Sequence, residues 1–238
     1  MALSKNCDYS KLVTGVRRIQ NSNLSDLKQE DYVAQIIRAV GLSYDPRRLY
    51  GEDNRFMNAS RFGLWQVPAQ LAKSLVVLSK QELNTVIDIG TFKGWTTTIL
   101  AAYLKMFNPQ LQTLTIDPVK HVEGYPLWDK LNISYEQTTS EQYRGACFDL
   151  CFIDGDHSYQ SVKGDFDNVG QYANVCVLHD INEELCPDVG VFWKELKDLK
   201  NSSWKASEIL DHSEGAQVMG IGILERKNEG HFDRVRPL

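Results

Sequence analysis

Two short stretches of the chain gather side chains suited to acid–base and metal chemistry. The first, Phe148 to Tyr159, reads F-D-L-C-F-I-D-G-D-H-S-Y and holds Asp154, Asp156 and His157 just after an apolar run. The second, Ala173 to Asp180, reads A-N-V-C-V-L-H-D and ends in His179 and Asp180. Each apolar run reads as a buried strand that delivers its acidic residue at the carboxyl end. If the two strands are parallel neighbours, their ends stand about 5 Å apart. Asp154 and Asp180 can then share one hard cation through carboxylate oxygens. Without a cation, two carboxylates that close repel, or one keeps a proton. Such a cation would hold a substrate oxygen and lower the pKa of a hydroxyl. His157, with an unperturbed pKa of about 6.5, is a candidate to accept that proton near neutral pH. Its competing reading is a helix-start imidazole bonded to a nearby carboxylate. Glu183 and Glu184 follow and are alternative ligands, although a solvated loop accounts for both.

A third stretch, Val86 to Thr98, reads V-I-D-I-G-T-F-K-G-W-T-T-T. A buried strand carrying Asp88 turns at Gly90, and a helix begins near Gly94. Gly90 lets the backbone approach a ligand with no side chain in the way. Free amides at the helix start favour an anionic group. The spacing D-x-G-x-x-x-G-x-T, set by Asp88, Gly90, Gly94 and Thr96 with Thr91 inside the loop, is not the G-x-G-x-x-G of dinucleotide sites. Further on, L-T-I-D-P ends a second strand in Asp117, and T-T-S-E places Ser140 and Glu141 after a third. Taken alone, Ser140 and Glu141 also read as a helix cap with an acidic first turn.

The glycine-loop spacing resembles motif I of class I S-adenosylmethionine-dependent methyltransferases. The Asp-Gly-Asp-His-Ser-Tyr stretch resembles a family in that class that includes antibiotic-pathway small-molecule and sugar O-methyltransferases and cephalosporin hydroxylase-like proteins. The resemblance covers residues 80–225. It implies that Asp88, Gly90, Thr91, Gly94 and Thr96 cradle the amino-acid end of S-adenosylmethionine, with Asp88 near its ammonium. Asp117 would take the two ribose hydroxyls, which suit one carboxylate. Ser140 and Glu141 would lie beside the adenine, and Asp154 would border the cofactor as well as the metal. In metal-dependent members the position of Asp154 and an acidic pair ending the next strand bind magnesium, and the histidine three residues after the first ligand is the general base. The chain departs at His179-Asp180, where many members have two acidic or amide residues. Histidine suits magnesium poorly, so His179 is either a third ligand beside Asp154 and Asp180 or a contact to substrate or to a group behind the site. The implied activity is O-methylation of a small hydroxylated, sugar-like or natural-product substrate, in which positioning supplies much of the rate. A hydroxylase-like or non-catalytic cofactor-binding member of the same fold is the alternative.

These residues need a parallel sheet to bring them together, and the pattern supplies one. Strands are expected at Thr85–Ile89, Thr113–Ile116, Asn132–Tyr135, Phe148–Ile153 and Asn174–Leu178. Helices are expected at Trp95–Met106, Tyr125–Leu131, Ser140–Arg144, Tyr159–Tyr172 and Val189–Leu199. This alternation gives βαβ units. Two closing strands, Lys205–Leu210 and Gln217–Leu224, are close enough in sequence to pair antiparallel. The expected fold is α/β: a Rossmann-like, mostly parallel seven-stranded sheet with helices on both faces. Residues 1–80 form a helical N-terminal extension, with helices at Asp31–Val40 (stopped by Gly41) and Ala69–Lys80; residues 81–226 form the core and 227–238 a polar tail. Asp156 is expected to cap the helix starting near Ser158. Tyr159, Val162, Phe166, Val169 and Tyr172 are its expected apolar stripe. Arg47, Arg48, Arg55 and Arg61, among Tyr50, Phe62 and Trp65, read as a solvated segment or as a lid for an anionic or sugar-like substrate.

The chain has 238 residues, 42% hydrophobic and 24% charged, with a net charge of -5. That acidic balance lacks a basic footprint for nucleic acid. No apolar run has the roughly 18 residues of a membrane span, and the N-terminus lacks the apolar stretch of a secretory signal. Five cysteines without framework spacing indicate a reducing, cytoplasmic setting, with Cys151 and Cys176 as small core residues. The expected partner is a small molecule; a homo-oligomer is left open.

Overall fold

The computed structural model describes residues 9–42, 63–122, 125–182, 184, 186–198, 203–210 and 219–227. Seven strands form one sheet: β1 (Thr85–Ile89), β2 (Gln112–Ile116), β3 (Ile133–Glu136), β4 (Leu150–Ile153), β5 (Val175–His179), β6 (Trp204–Ile209) and β7 (Ile221–Arg226). Their order is β3-β2-β1-β4-β5-β7-β6. The first five are parallel, and β7 runs antiparallel to both β5 and β6. This is the Rossmann-like, mostly parallel sheet expected from the alternation.

Strand periodicity divides the core. On β1, Val86 faces one side of the sheet while Ile87 and Ile89 face the other; on β4, Leu150 and Phe152 oppose Cys151 and Ile153. Both faces are apolar because both are covered, which is why these strands read as continuous hydrophobic runs. One face is covered by α1 (Tyr9–Gln20), α3 (Glu30–Val40), α4 (Pro68–Leu78), α5 (Trp95–Leu104) and α6 (Pro126–Leu131), with the short α2 (Leu24–Leu27) beside α3. The other is covered by α7 (Tyr159–Asn168) and α8 (Pro187–Asp198). The N-terminal helices thus share a core with the sheet: Leu12, Val16, Ile19, Ile36 and Ile37 are buried with Ile99 and Phe152.

Several boundaries differ from the sequence expectation for physical reasons. Met219 and Gly220 have φ of 63° and 85°, a left-handed backbone that no strand continues, so β7 starts at Ile221; residues 211–218 lie outside the described ones. α7 stops at Asn168 and a 3₁₀ turn covers Gly170–Tyr172, which leaves Tyr172 42% exposed rather than in the core. Its cap is Ser158, whose hydroxyl accepts from the Ser161 amide, while Asp156 accepts from the Ser158 amide at 2.7 Å one step earlier. Ser140–Tyr143 is a 3₁₀ turn. Gly41 ends α3 as expected, and Cys151 and Cys176 are fully buried. Among the described residues no helix is long and apolar enough to cross a membrane.

Candidate active site

The carboxyl ends of β1, β2, β4 and β5 open into a cavity of about 770 Å³. In an open α/β sheet ligands bind at this edge. The glycine loop, the turn after β2, the turn at Thr138–Glu141, the start of α7 and Asp180 form its walls, and Gly63 and Trp65 reach in from the N-terminal part. The arginine-rich segment at 47–61 and Glu183 lie outside the described residues.

The glycine loop has its shape because two positions exclude side chains. Gly90 has φ of 102°, and a Cβ there would stand 2.0 Å from the Asp154 carbonyl oxygen and 2.7 Å from Gly155 Cα. Gly94 has φ of 71° and abuts the Trp128 ring. Gly90, Thr91, Gly94 and Thr96 all border the cavity. Asp117 does so as well, and its two oxygens accept from the amides of Phe92 and Val119, each at 2.8 Å. Asp88 is not among the described residues that border the cavity: it is 1% exposed beneath the loop and accepts from the hydroxyls of Thr97 (2.5 Å) and Thr115 (2.7 Å). Burial raises it to about 7 against the pull of those two hydrogen bonds. Its visible work is to clamp β1 to β2 and α5, fixing the loop above.

Ser140 and Glu141 border the cavity on the far side. Ser140 is buried and accepts from the Asn168 side chain at 3.0 Å. Burial raises the nearby Asp165 to about 6, opposed by the hydrogen bond from Ser140. Ser161, Gly164, Asp165 and Asn168 form the cavity face of α7. Their i, i+3, i+4, i+7 spacing was legible as a polar stripe opposite Val162 and Phe166.

The acidic and histidine residues converge. Parallel pairing of Ile153 with Leu178 places Asp154 beside His179. Asp180 has φ of 60°, and this left-handed turn breaks strand alternation, so that His179 and Asp180 both reach Asp154. His179 Nδ1 lies 3.1 Å from Asp154 Oδ1 and 3.1 Å from Asp180 Oδ2. Its side chain is 1% exposed, and among the described residues neither ring nitrogen has a hydrogen-bond partner in good geometry. Burial opposes a charge on His179, but the two carboxylates raise its pKa overall. Asp180 shows the converse: burial works against its charge, and His179 and His157 hold it below the usual range. Asp154 Oδ2 accepts from the fully buried Gln66 at 3.0 Å, a partner with no signal in its irregular stretch of sequence. His157 Nε2 lies 3.1 Å from Asp180 Oδ2 and its Nδ1 lies 3.5 Å from Cys186 Sγ. The bond to Asp180, then that to Cys186, raise His157 to about 10. Among the described residues, Asp154, His179 and Asp180 fit a divalent cation: three ligand atoms converge, and the buried imidazole faces both carboxylates without a partner in hydrogen-bond geometry.

Residues 87–181 match a protein family described as Methyltransferase domain. Among solved structures, the chain is similar to the O-methyltransferase TomG from Streptomyces achromogenes, involved in tomaymycin synthesis and solved with S-adenosylmethionine. That likeness has 15% identity and a TM-score of 0.52, covering 69% of this chain and 82% of that one. It is also similar to an O-methyltransferase from Bacillus cereus solved with S-adenosylhomocysteine: 14% identity, TM-score 0.50, 92% of this chain and all of that one. No curated protein sequence matches.

Proposed function

We propose that this chain, whose residues 87–181 match the methyltransferase domain, transfers the methyl group of S-adenosylmethionine to a hydroxyl oxygen of a small molecule. The observation that carries the reading is one cavity bordered at once by the glycine loop, by Asp117, and by the Asp154–His157–Asp180 cluster. The first two suit a nucleoside bearing an amino acid, and the third suits a substrate hydroxyl. In this reading Gly90, Thr91, Gly94 and Thr96 hold the amino-acid end, Asp117 takes the ribose hydroxyls, and Ser140 with Glu141 borders the adenine. Asp154, His179 and Asp180 would hold a divalent cation, which lowers the pKa of a bound hydroxyl. His157, on the cavity wall and half-exposed, accepts the proton. Bonded to Asp180 and Cys186, which raise it to about 10, it is protonated at neutral pH, so its role as base requires that the charge of Asp180 be engaged elsewhere. The glycine loop and the His157 wall then set donor and acceptor in line. The alternative is a hydroxylase-like or non-catalytic cofactor-binding member of the same fold.

Isothermal titration with S-adenosylhomocysteine tests the reading. Micromolar binding is expected, weakened at least about tenfold by Asp117→Ala, since a hydrogen bond to a charged group contributes about 1.5–3 kcal/mol. Failure of the wild-type chain to bind would overturn it. Binding, followed by methyl transfer to a panel of hydroxylated small molecules, separates the methyltransferase from the alternative.

A further inference from the structure

The donor set at Asp154, His179 and Asp180 is not the all-oxygen set that magnesium prefers. We infer that this cluster is a mixed nitrogen–oxygen centre in which His179 Nδ1 is a direct ligand, and that it selects a divalent first-row transition ion over magnesium. This deepens the proposed function by naming the class of its metal, and it rests on that reading only for the use made of the ion.

Three observations carry it. The first is the stranded imidazole. His179 is 1% exposed at its side chain, and both ring nitrogens are buried without a hydrogen-bond partner among the described residues. A buried nitrogen left so is costly unless something else occupies it. The second is spacing. Nδ1 is 3.1 Å from one oxygen of each carboxylate. Neighbouring octahedral donors about 2.1 Å from an ion stand about 3 Å apart, so these atoms have the separation of adjacent ligands while missing hydrogen-bond geometry. The third is how the remaining atoms are engaged. Gln66, itself fully buried, donates to Asp154 Oδ2 and leaves Oδ1 turned to His179. Groups behind a ligand orient it in this way, and their removal typically costs 10–100-fold in metal affinity. Imidazole suits iron, nickel, copper and zinc, and manganese, although it leans to oxygen, takes a nitrogen donor more readily than magnesium, which gives up water reluctantly.

The test uses the full chain stripped of metal, with manganese and magnesium as probes and S-adenosylhomocysteine titrated into the same samples. Manganese is expected to bind at least about tenfold more tightly than magnesium. The electron-spin-echo spectrum of the manganese-loaded chain should show coupling to a histidine nitrogen, shifted by ¹⁵N-histidine labelling. That coupling should persist in His157→Ala and vanish in His179→Asp, which should also narrow the manganese-to-magnesium ratio. Manganese bound without nitrogen coupling, or magnesium bound as tightly, overturns the inference. So does binding of neither ion, which would make His179 a protonated bridge between two carboxylates. The wild-type spectrum decides the matter even if a variant fails to fold. Homocysteine-adduct binding without metal binding sinks this inference alone, and loss of the former sinks the proposed function.

Discussion

His157 and Asp88 show how much a side chain's role depends on what touches it. His157 was legible from its place after Asp154, but its partner was not: Asp180 arrives from the next strand and raises it to about 10. If it is the base, His157→Ala should cut kcat by about 10²–10⁴-fold and leave the affinity for S-adenosylhomocysteine unchanged. Unaltered turnover would reduce His157 to a counter-ion for Asp180. Asp88 carries a different prediction. Its folded pKa of about 7 lies above the ordinary 3.8 because burial disfavours the charge. An acid shifted upward contributes stability that is present at low pH and lost as pH rises through the interval between the two values. Relative to Asp88→Asn, the wild type should lose about 3 kcal/mol between pH 4 and pH 7. Urea unfolding of both proteins at the two pH values reads this difference, and parallel curves would show that Asp88 does not titrate there. Gln66 marks the limit of residue-level reading, since nothing in an aperiodic stretch shows that an amide will meet a carboxylate 88 positions away.

At the scale of elements, the strands that build the site were the most legible. β1 falls on its expected residues and β2 to β5 within two; for β1, β4 and β5 the reason is that two covered faces impose apolar runs between breaks. What escaped was set by backbone conformation and not by side-chain pattern. The left-handed residues Met219 and Gly220 delay β7, and the left-handed Asp180 turns two consecutive side chains to one side. The glycine loop shows the same dependence from the legible side. Gly90→Ala would place a methyl group 2.0 Å from the Asp154 carbonyl oxygen at a φ of 102°. The loop must move or β4 must yield, and because Asp154 is the residue struck, both halves of the cavity distort. An unfolding free energy lower by about 3 kcal/mol or more is expected, with loss of S-adenosylhomocysteine binding in titration. A variant that binds normally would mean that the loop does not approach the ligand as its glycines imply.

For the molecule as a whole, the sequence divides more readily than the structure does. The helical and irregular first eighty residues read as an extension laid on a core, yet α1 and α4 pack on α5, and the Tyr103 hydroxyl donates to the Leu27 carbonyl across that join at 2.5 Å. Amphipathic periodicity shows that a helix has a buried face but not which surface covers it, so the join was invisible in sequence. Its energetic weight follows from burial. Leu12, Val16, Ile19, Ile36, Ile37 and Val40 are each at most 1% exposed, and at about 1.5–3 kcal/mol apiece these six side chains contribute roughly 9–18 kcal/mol. Whole domains are stable by about 5–15 kcal/mol. Removing residues 1–42 leaves every described cavity-lining residue in place, since the first of those is Gly63. The shortened chain should nonetheless lack a cooperative melting transition in near-ultraviolet circular dichroism and bind no S-adenosylhomocysteine. If instead it melts cooperatively within a few degrees of the full chain and keeps the ligand, the N-terminal helices are a separable cap and the sheet holds the site without them.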